Sequence, residues 1–193
     1  MKKNKLFAII CCLATVAGPL CEPMSILEGS SSFVMTVEAA SIQSKRTYEN
    51  VLVDGGLYRI RSACGYFIGD DFNNVELVNR NDATAIWVAR YNAEYDYWYF
   101  ISLLHPCLVM NAYATRPVSK TNINLYSYVA NDRSQGFLPV KQKDGSFKIL
   151  NAMNSSVAVE VSGYAKDAKK GTNIRLYTSN SDKTQKFYFE RVC

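Results

Sequence analysis

The chain holds a single histidine, His105 in Leu104-His105-Pro106, and a Ser–His–Asp or Cys–His nucleophilic site would have to use it. Cys107 lies two residues on. In a strand or turn that separation sets a thiol and an imidazole badly for nucleophile and base, so His105 reads as a turn residue. Glu160 and other carboxylates could form a glycosidase dyad, but nothing in their spacing indicates one. Gly55-Gly56 precedes a strand and reads as a turn, not as a phosphate-cradling loop. The expectation is a protein that binds and does not catalyse, with no cofactor and no metal.

The elements that would position a binding site begin after a leader. Lys2, Lys3 and Lys5 precede an apolar run from Leu6 to Ala17, the pattern of a secretory signal and too short to span a bilayer comfortably. Residues 1–40 are therefore expected to be signal peptide and leader and 41–49 a linker. The protein is expected outside the cell, with no stable membrane insertion. Cleavage before Ala40 and cleavage before Gly18 both fit the residues present. Loss of the leader removes Cys11, Cys12 and Cys21. Cys64, Cys107 and Cys193 remain, an odd number that allows at most one internal bridge, and Cys64–Cys107 is one option. Stability must then come from an apolar core. The formal charge of +5 is too small and too scattered to imply nucleic acid.

Residues 50–193 repeat three times, about 50–96, 97–143 and 144–193. The stretches NVELVNRNDATAIW from Asn74, NINLYSYVANDRSQGF from Asn122 and NIRLYTSNSDKTQKF from Asn173 each open on Asn-aliphatic-polar-Leu and close on a large aromatic, Trp87, Phe137 or Phe187. Leu57-Tyr58-Arg59-Ile60 and Ile174-Arg175-Leu176-Tyr177 alternate as half-buried strands do, and Asn, Asp, Ser and Gly cluster between such runs. Each copy reads as four short strands. Three such units closed on one another remove their edge strands, so the expected fold is all-β, a β-trefoil. Leu77, Leu125 and Leu176, with Trp87, Phe137 and Phe187, are its expected shared core.

This pattern resembles the ricin-type lectin module, whose units carry a Leu-Asp-Val-like strand, an Ile-Gln-Leu-Trp-like strand and a closing Gln-x-Trp. Here the last two appear as Ile174-Arg175-Leu176-Tyr177 with Gln185-Lys186-Phe187, as Ile123-Asn124-Leu125-Tyr126 with Gln135-Gly136-Phe137, and as Val75-Glu76-Leu77-Val78 with Ala85-Ile86-Trp87. The resemblance implies shallow sugar pockets, in which an aromatic ring stacks on a pyranose while a carboxylate or amide grips neighbouring hydroxyls. Carried over by position, the acid is Glu160, the stacking ring Tyr177, the polar residue before it Arg175, and the amides Gln185 and Asn180. The third repeat is thus the best-preserved site, although Glu stands for the family's Asp and Arg for its Gln. In the middle repeat Val109 falls at the acid position, with Asn111 and Tyr126 still available. In the first, Ile68 and Val78 fall at the acid and aromatic positions, and that lobe is expected to be structural. The function implied is glycan binding. The alternative is a trefoil that has lost sugar binding and meets a secreted protein partner, for which Tyr91–Tyr99 is the candidate surface.

Overall fold

The computed structural model describes residues 52–192; the leader, both cleavage sites and Cys193 lie outside them. Twelve strands follow in order: β1 (Leu57–Ser62), β2 (Phe67–Asp70), β3 (Val75–Val78), β4 (Ile86–Asn92), β5 (Tyr97–Ser102), β6 (Leu108–Ala112), β7 (Ile123–Ser127), β8 (Phe137–Lys141), β9 (Phe147–Asn151), β10 (Val157–Val161), β11 (Ile174–Thr178) and β12 (Phe187–Val192). The alternation seen in sequence is the alternation of burial. In β1, Tyr58, Ile60 and Ser62 face inward while Leu57, Arg59 and Arg61 stay partly exposed. Among the described residues, no helix is long and apolar enough to cross a membrane.

Six strands close on themselves. β1 pairs with β4, β4 with β5, β5 with β8, β8 with β9, β9 with β12, and β12 with β1, all antiparallel. The other six form three hairpins, β2–β3, β6–β7 and β10–β11, each joined to the barrel through its own first strand. This is a β-trefoil: a six-stranded barrel capped at one end by three hairpins around a pseudo-threefold axis.

The repeat markers meet on that axis. Asn74 Nδ2 donates to Asn173 Oδ1 at 2.8 Å, Asn173 Nδ2 to Asn122 Oδ1 at 2.8 Å, and Asn122 Nδ2 to Asn74 Oδ1 at 2.9 Å. Each amide gives and takes one bond, so the ring is satisfied only if three asparagines are present. Backbone bonds repeat the cycle: the N–H groups of Leu77, Leu125 and Leu176 donate to the carbonyls of Thr172, Asn73 and Thr121. Beneath, Leu77, Leu125, Leu176, Trp87, Phe137 and Phe187 are all buried in one core.

One expectation changes here. Tyr97, Trp98 and Tyr99 are buried, because β5 is a barrel strand paired on both sides; of the aromatic residues in the Tyr91–Tyr99 stretch only Tyr95 is exposed, at 43%. The buried aromatics of that stretch are therefore not available to a protein partner. Cys64 and Cys107 are both free thiols.

Candidate functional site

The hairpin registers decide which residues are equivalent between lobes. In β10–β11, Val159 lies opposite Leu176, Glu160 opposite Arg175 and Ala158 opposite Tyr177. In β6–β7, Met110 lies opposite Leu125, Asn111 opposite Asn124 and Val109 opposite Tyr126. In β2–β3, Ile68 lies opposite Leu77, Gly69 opposite Glu76 and Phe67 opposite Val78. The position of Glu160 is therefore filled by Asn111 and Gly69, not by Val109 and Ile68. Apolar triplets alone do not reveal this, because side chains switch faces at every residue and only pairing with the central Leu sets the register.

In the third lobe the strand period brings the expected residues together. Glu160 is buried at 4% exposure. Its Oε1 accepts from Arg175 Nε at 3.1 Å and Nη2 at 2.9 Å, and its Oε2 accepts from Gln185 Nε2 at 3.1 Å. A carboxylate offers about four acceptor sites, so three of them are already used. The Arg175 guanidinium lies 4.9 Å from the Tyr177 ring centroid and covers one face of the ring. Gln185 is buried. Its Nε2 also donates to the Thr178 carbonyl and its Oε1 accepts the Asn180 N–H, so it ties the β11 end to the closing turn. Asn180 is exposed, and its Oδ1 accepts the Asp182 N–H at 2.8 Å. It organises a turn and is not aimed at Glu160.

The middle lobe is built alike but stays open. Gln135 repeats the Gln185 bonds, donating to the Ser127 carbonyl and accepting the Val129 N–H, both at 2.9 Å. Asn111 Nδ2 donates to Asn124 Oδ1 at 2.9 Å and Asn111 Oδ1 accepts from Ser134 Oγ at 3.3 Å. No ion pair among the described residues locks these groups, and a cavity of about 560 Å³ opens over them, lined in part by Asn111, Tyr113, Tyr126, Asp132, Ser134 and Met153. Tyr126 and Tyr113 are 53% and 69% exposed. Asp132 went unnoticed in the sequence. Its Oδ1 accepts from both the N–H and the hydroxyl of Ser134, at 2.8 and 2.7 Å. Asp82 and Asp182 cap the matching turns in the other copies through Thr84 and Thr184. Asp-x-Ser/Thr at fifty-residue intervals was the available signal.

The first lobe is shut. A Cβ on Gly69 would lie 2.4 Å from Val78 Cγ2, so only glycine lets Val78 fold over this position. Phe67, Val78 and Ala85 then form a small buried apolar cluster where the other lobes hold polar groups. Beside it, buried Asp70 accepts from Ser102 Oγ at 2.8 Å and lies 2.9 Å from His105 Nδ1. The serine hydroxyl is turned to the carboxylate and also accepts the His105 N–H, at 3.1 Å. The imidazole thus pins the β5–β6 turn to the first hairpin, and the Ser102 hydroxyl is engaged with Asp70.

Glu76 marks the same lobe electrostatically. Burial first, then the charges of Asp71 and Asp82, push its carboxyl above the usual 4.5, against the pull of Lys170. A carboxyl raised in the folded state costs stability when ionised. That cost is fully present above its folded pKa and gone below 4.5. Glu76→Gln is therefore expected to raise the urea midpoint at pH 7 and to leave it unchanged at about pH 3.5. An equal gain at both pH values would show that charge is not the cause.

No protein-family model matches the chain, and no curated protein sequence does. Solved structures match it in shape. A designed threefold-symmetric protein, ThreeFoil, superimposes with a TM-score of 0.61 at 18% identity, over 69% of this chain and 97% of the other. The Macrolepiota procera ricin B-like lectin, solved with lactose, gives 0.61 at 16% identity, over 73% of this chain and 99% of the other. A mosquitocidal holotoxin gives 0.62 at 17% identity over 72% of this chain, but the match spans only 16% of the holotoxin. These identities establish shape and not activity. What the threefold repeat and the closed barrel jointly imply is the architecture these proteins share: the chain has the β-trefoil fold, the fold also of the Macrolepiota procera ricin B-like lectin.

Proposed function

We propose that the chain is a secreted carbohydrate-binding module whose middle lobe is its principal glycan site and whose third lobe is a second one. The open cavity over Asn111, Asp132 and Ser134, rimmed by Tyr113 and Tyr126, is the observation that carries this reading. It offers what a pyranose needs, an exposed aromatic face beside clustered hydroxyl-gripping groups. The third lobe holds the acid, ring and amide carried over from the family, but Arg175 already engages both Glu160 and Tyr177. A neutral sugar there must share the carboxylate with a guanidinium. A single shallow pocket of this kind binds at about millimolar strength, near 4 kcal/mol, and two gain by avidity on multivalent glycans. Export follows from the Lys-rich leader, and glycans outside the cell are the partners it implies. The lactose bound by the Macrolepiota procera lectin makes galactosides the first sugars to try.

A glycan array probed with labelled protein tests the proposal. Tyr126→Ala is expected to weaken binding about tenfold, the worth of one stacked ring near 1.5 kcal/mol, and Tyr177→Ala to weaken it less. Tyr126 is exposed, so its loss should leave the fold intact. An array on which the folded protein binds nothing overturns the reading. The closed first lobe favours the second reading, a trefoil using protein contacts. Retention by a secreted protein partner with no retention on any sugar resin would establish it.

A further inference from the structure

The outer wall of the barrel carries a feature unrelated to the lobe pockets. Strand alternation turns Arg59 and Arg61 of β1 outward, along with Tyr188 and Glu190 of β12 and Lys148 of β9. The pairings Arg59↔Glu190, Arg61↔Tyr188 and Phe187↔Phe147 set these residues side by side, with Lys186 on the same outward face. Arg80, from the turn after β3, joins them: Glu190 accepts from Arg61 Nε at 2.8 Å and from Arg80 Nη1 at 2.5 Å. Arg59 Nε donates to the Arg80 carbonyl at 3.1 Å, which holds its guanidinium beside the other two. Lys186 Nζ reaches Asp144 at 2.6 Å. Five cations thus face two carboxylates across three neighbouring strands and their flanking turns. The two carboxylates order three of the cations. Arg59 and Lys148 have no acidic partner among the described residues.

We propose that this wall, with Arg59, Arg61, Arg80, Lys148 and Lys186, is a binding surface for an acidic polysaccharide, one bearing sulfate or carboxylate groups along its length. Guanidinium forks match such oxyanions two bonds at a time. Adjacent strands lie about 4.8 Å apart, so a row of cations crossing them can meet successive charged groups on one extended chain. The wall fits a nucleic acid less well. The Arg61 guanidinium sits 4.4 Å from the Tyr188 ring centroid, so this ring already has a cation where a base would stack, and Phe67, 5.4 Å from the Arg80 guanidinium, is buried. The inference does not depend on the lobe pockets and stands or falls apart from them.

Chromatography of the full chain on immobilised dextran sulfate, against unsulfated dextran, tests it. Retention is expected on the sulfated resin only. Arg59→Gln/Lys148→Gln removes the two unpaired cations without breaking an ion pair. It is expected to elute at clearly lower salt, with the slope of log affinity against log salt shallower by about two. Lys166→Gln/Lys169→Gln removes the same charge from exposed positions elsewhere and is expected to elute with the wild type. Equal shifts in both double variants would reduce the effect to net charge and overturn the proposal. So would failure of the wild type to bind, or stronger retention on single-stranded DNA lost in the same wall variant.

Discussion

Trp87→Ala is expected to remove most of the protein's stability. Trp87 is fully buried at the centre of the threefold core, and its indole N–H donates to the Ile68 carbonyl at 2.9 Å. Truncating a buried tryptophan costs about 3–5 kcal/mol in lost transfer energy and cavity. The Ile68 carbonyl, left unpaired, adds about 1 kcal/mol. Domains of this size hold about 5–15 kcal/mol in all, so the variant should be largely unfolded at modest urea. Trp87→Phe gives the residue type found at the two equivalent positions, Phe137 and Phe187. It is expected to cost about 2 kcal/mol, since ring volume is mostly kept and the hydrogen bond is lost. Urea titration followed by circular dichroism measures both. A loss below 2 kcal/mol for Trp87→Ala would remove Trp87 from the heart of the core.

Glu160→Ala is expected to lower stability by about 2 kcal/mol, more than any exposed tyrosine in the lobes. The carboxylate is buried and holds Arg175 by two bonds and Gln185 by one. Breaking a buried pair from one side costs about 3–5 kcal/mol, and the figure is lowered here because the Arg175 side chain is 24% exposed and water can reach it. A double-mutant cycle with Arg175→Ala isolates the pair: the double variant should be destabilised by less than the two single changes together. Additive losses would mean that the pair is not coupled. This result bears on function as well. Lost binding in Glu160→Ala could reflect a loosened lobe, whereas Tyr177→Ala leaves the ion pair in place and reports on the ligand alone.

Much of the fold was legible along the chain because a trefoil writes its symmetry into sequence. Three Asn–Leu–aromatic sets at near-equal spacing mark three hairpins and their shared core, and alternating polarity marks strands with one buried face. The resemblance to the ricin-type module also pointed to the third-lobe set of Glu160, Arg175, Tyr177 and Gln185, which lie on paired strands and a closing turn. The middle-lobe acid position was misplaced by two residues and the first-lobe one by one. A short apolar strand reads equally well in either register until a partner strand fixes it. Asp132 was missed because a turn cap carries little sequence signal unless the copies are aligned at the Asp.

The residues alone determined the number of units, the strand character, the core aromatics and which lobes keep polar groups. Only the tertiary structure decided what those groups do. Whether Glu160 faces a ligand or a guanidinium, whether Tyr97 and Tyr99 face water, and whether Arg59, Arg80 and Lys148 share one wall depend on pairings between strands up to 135 residues apart, as in Leu57↔Val192. Local sequence sets which way a side chain points from its own strand; closure of the barrel sets what it meets there.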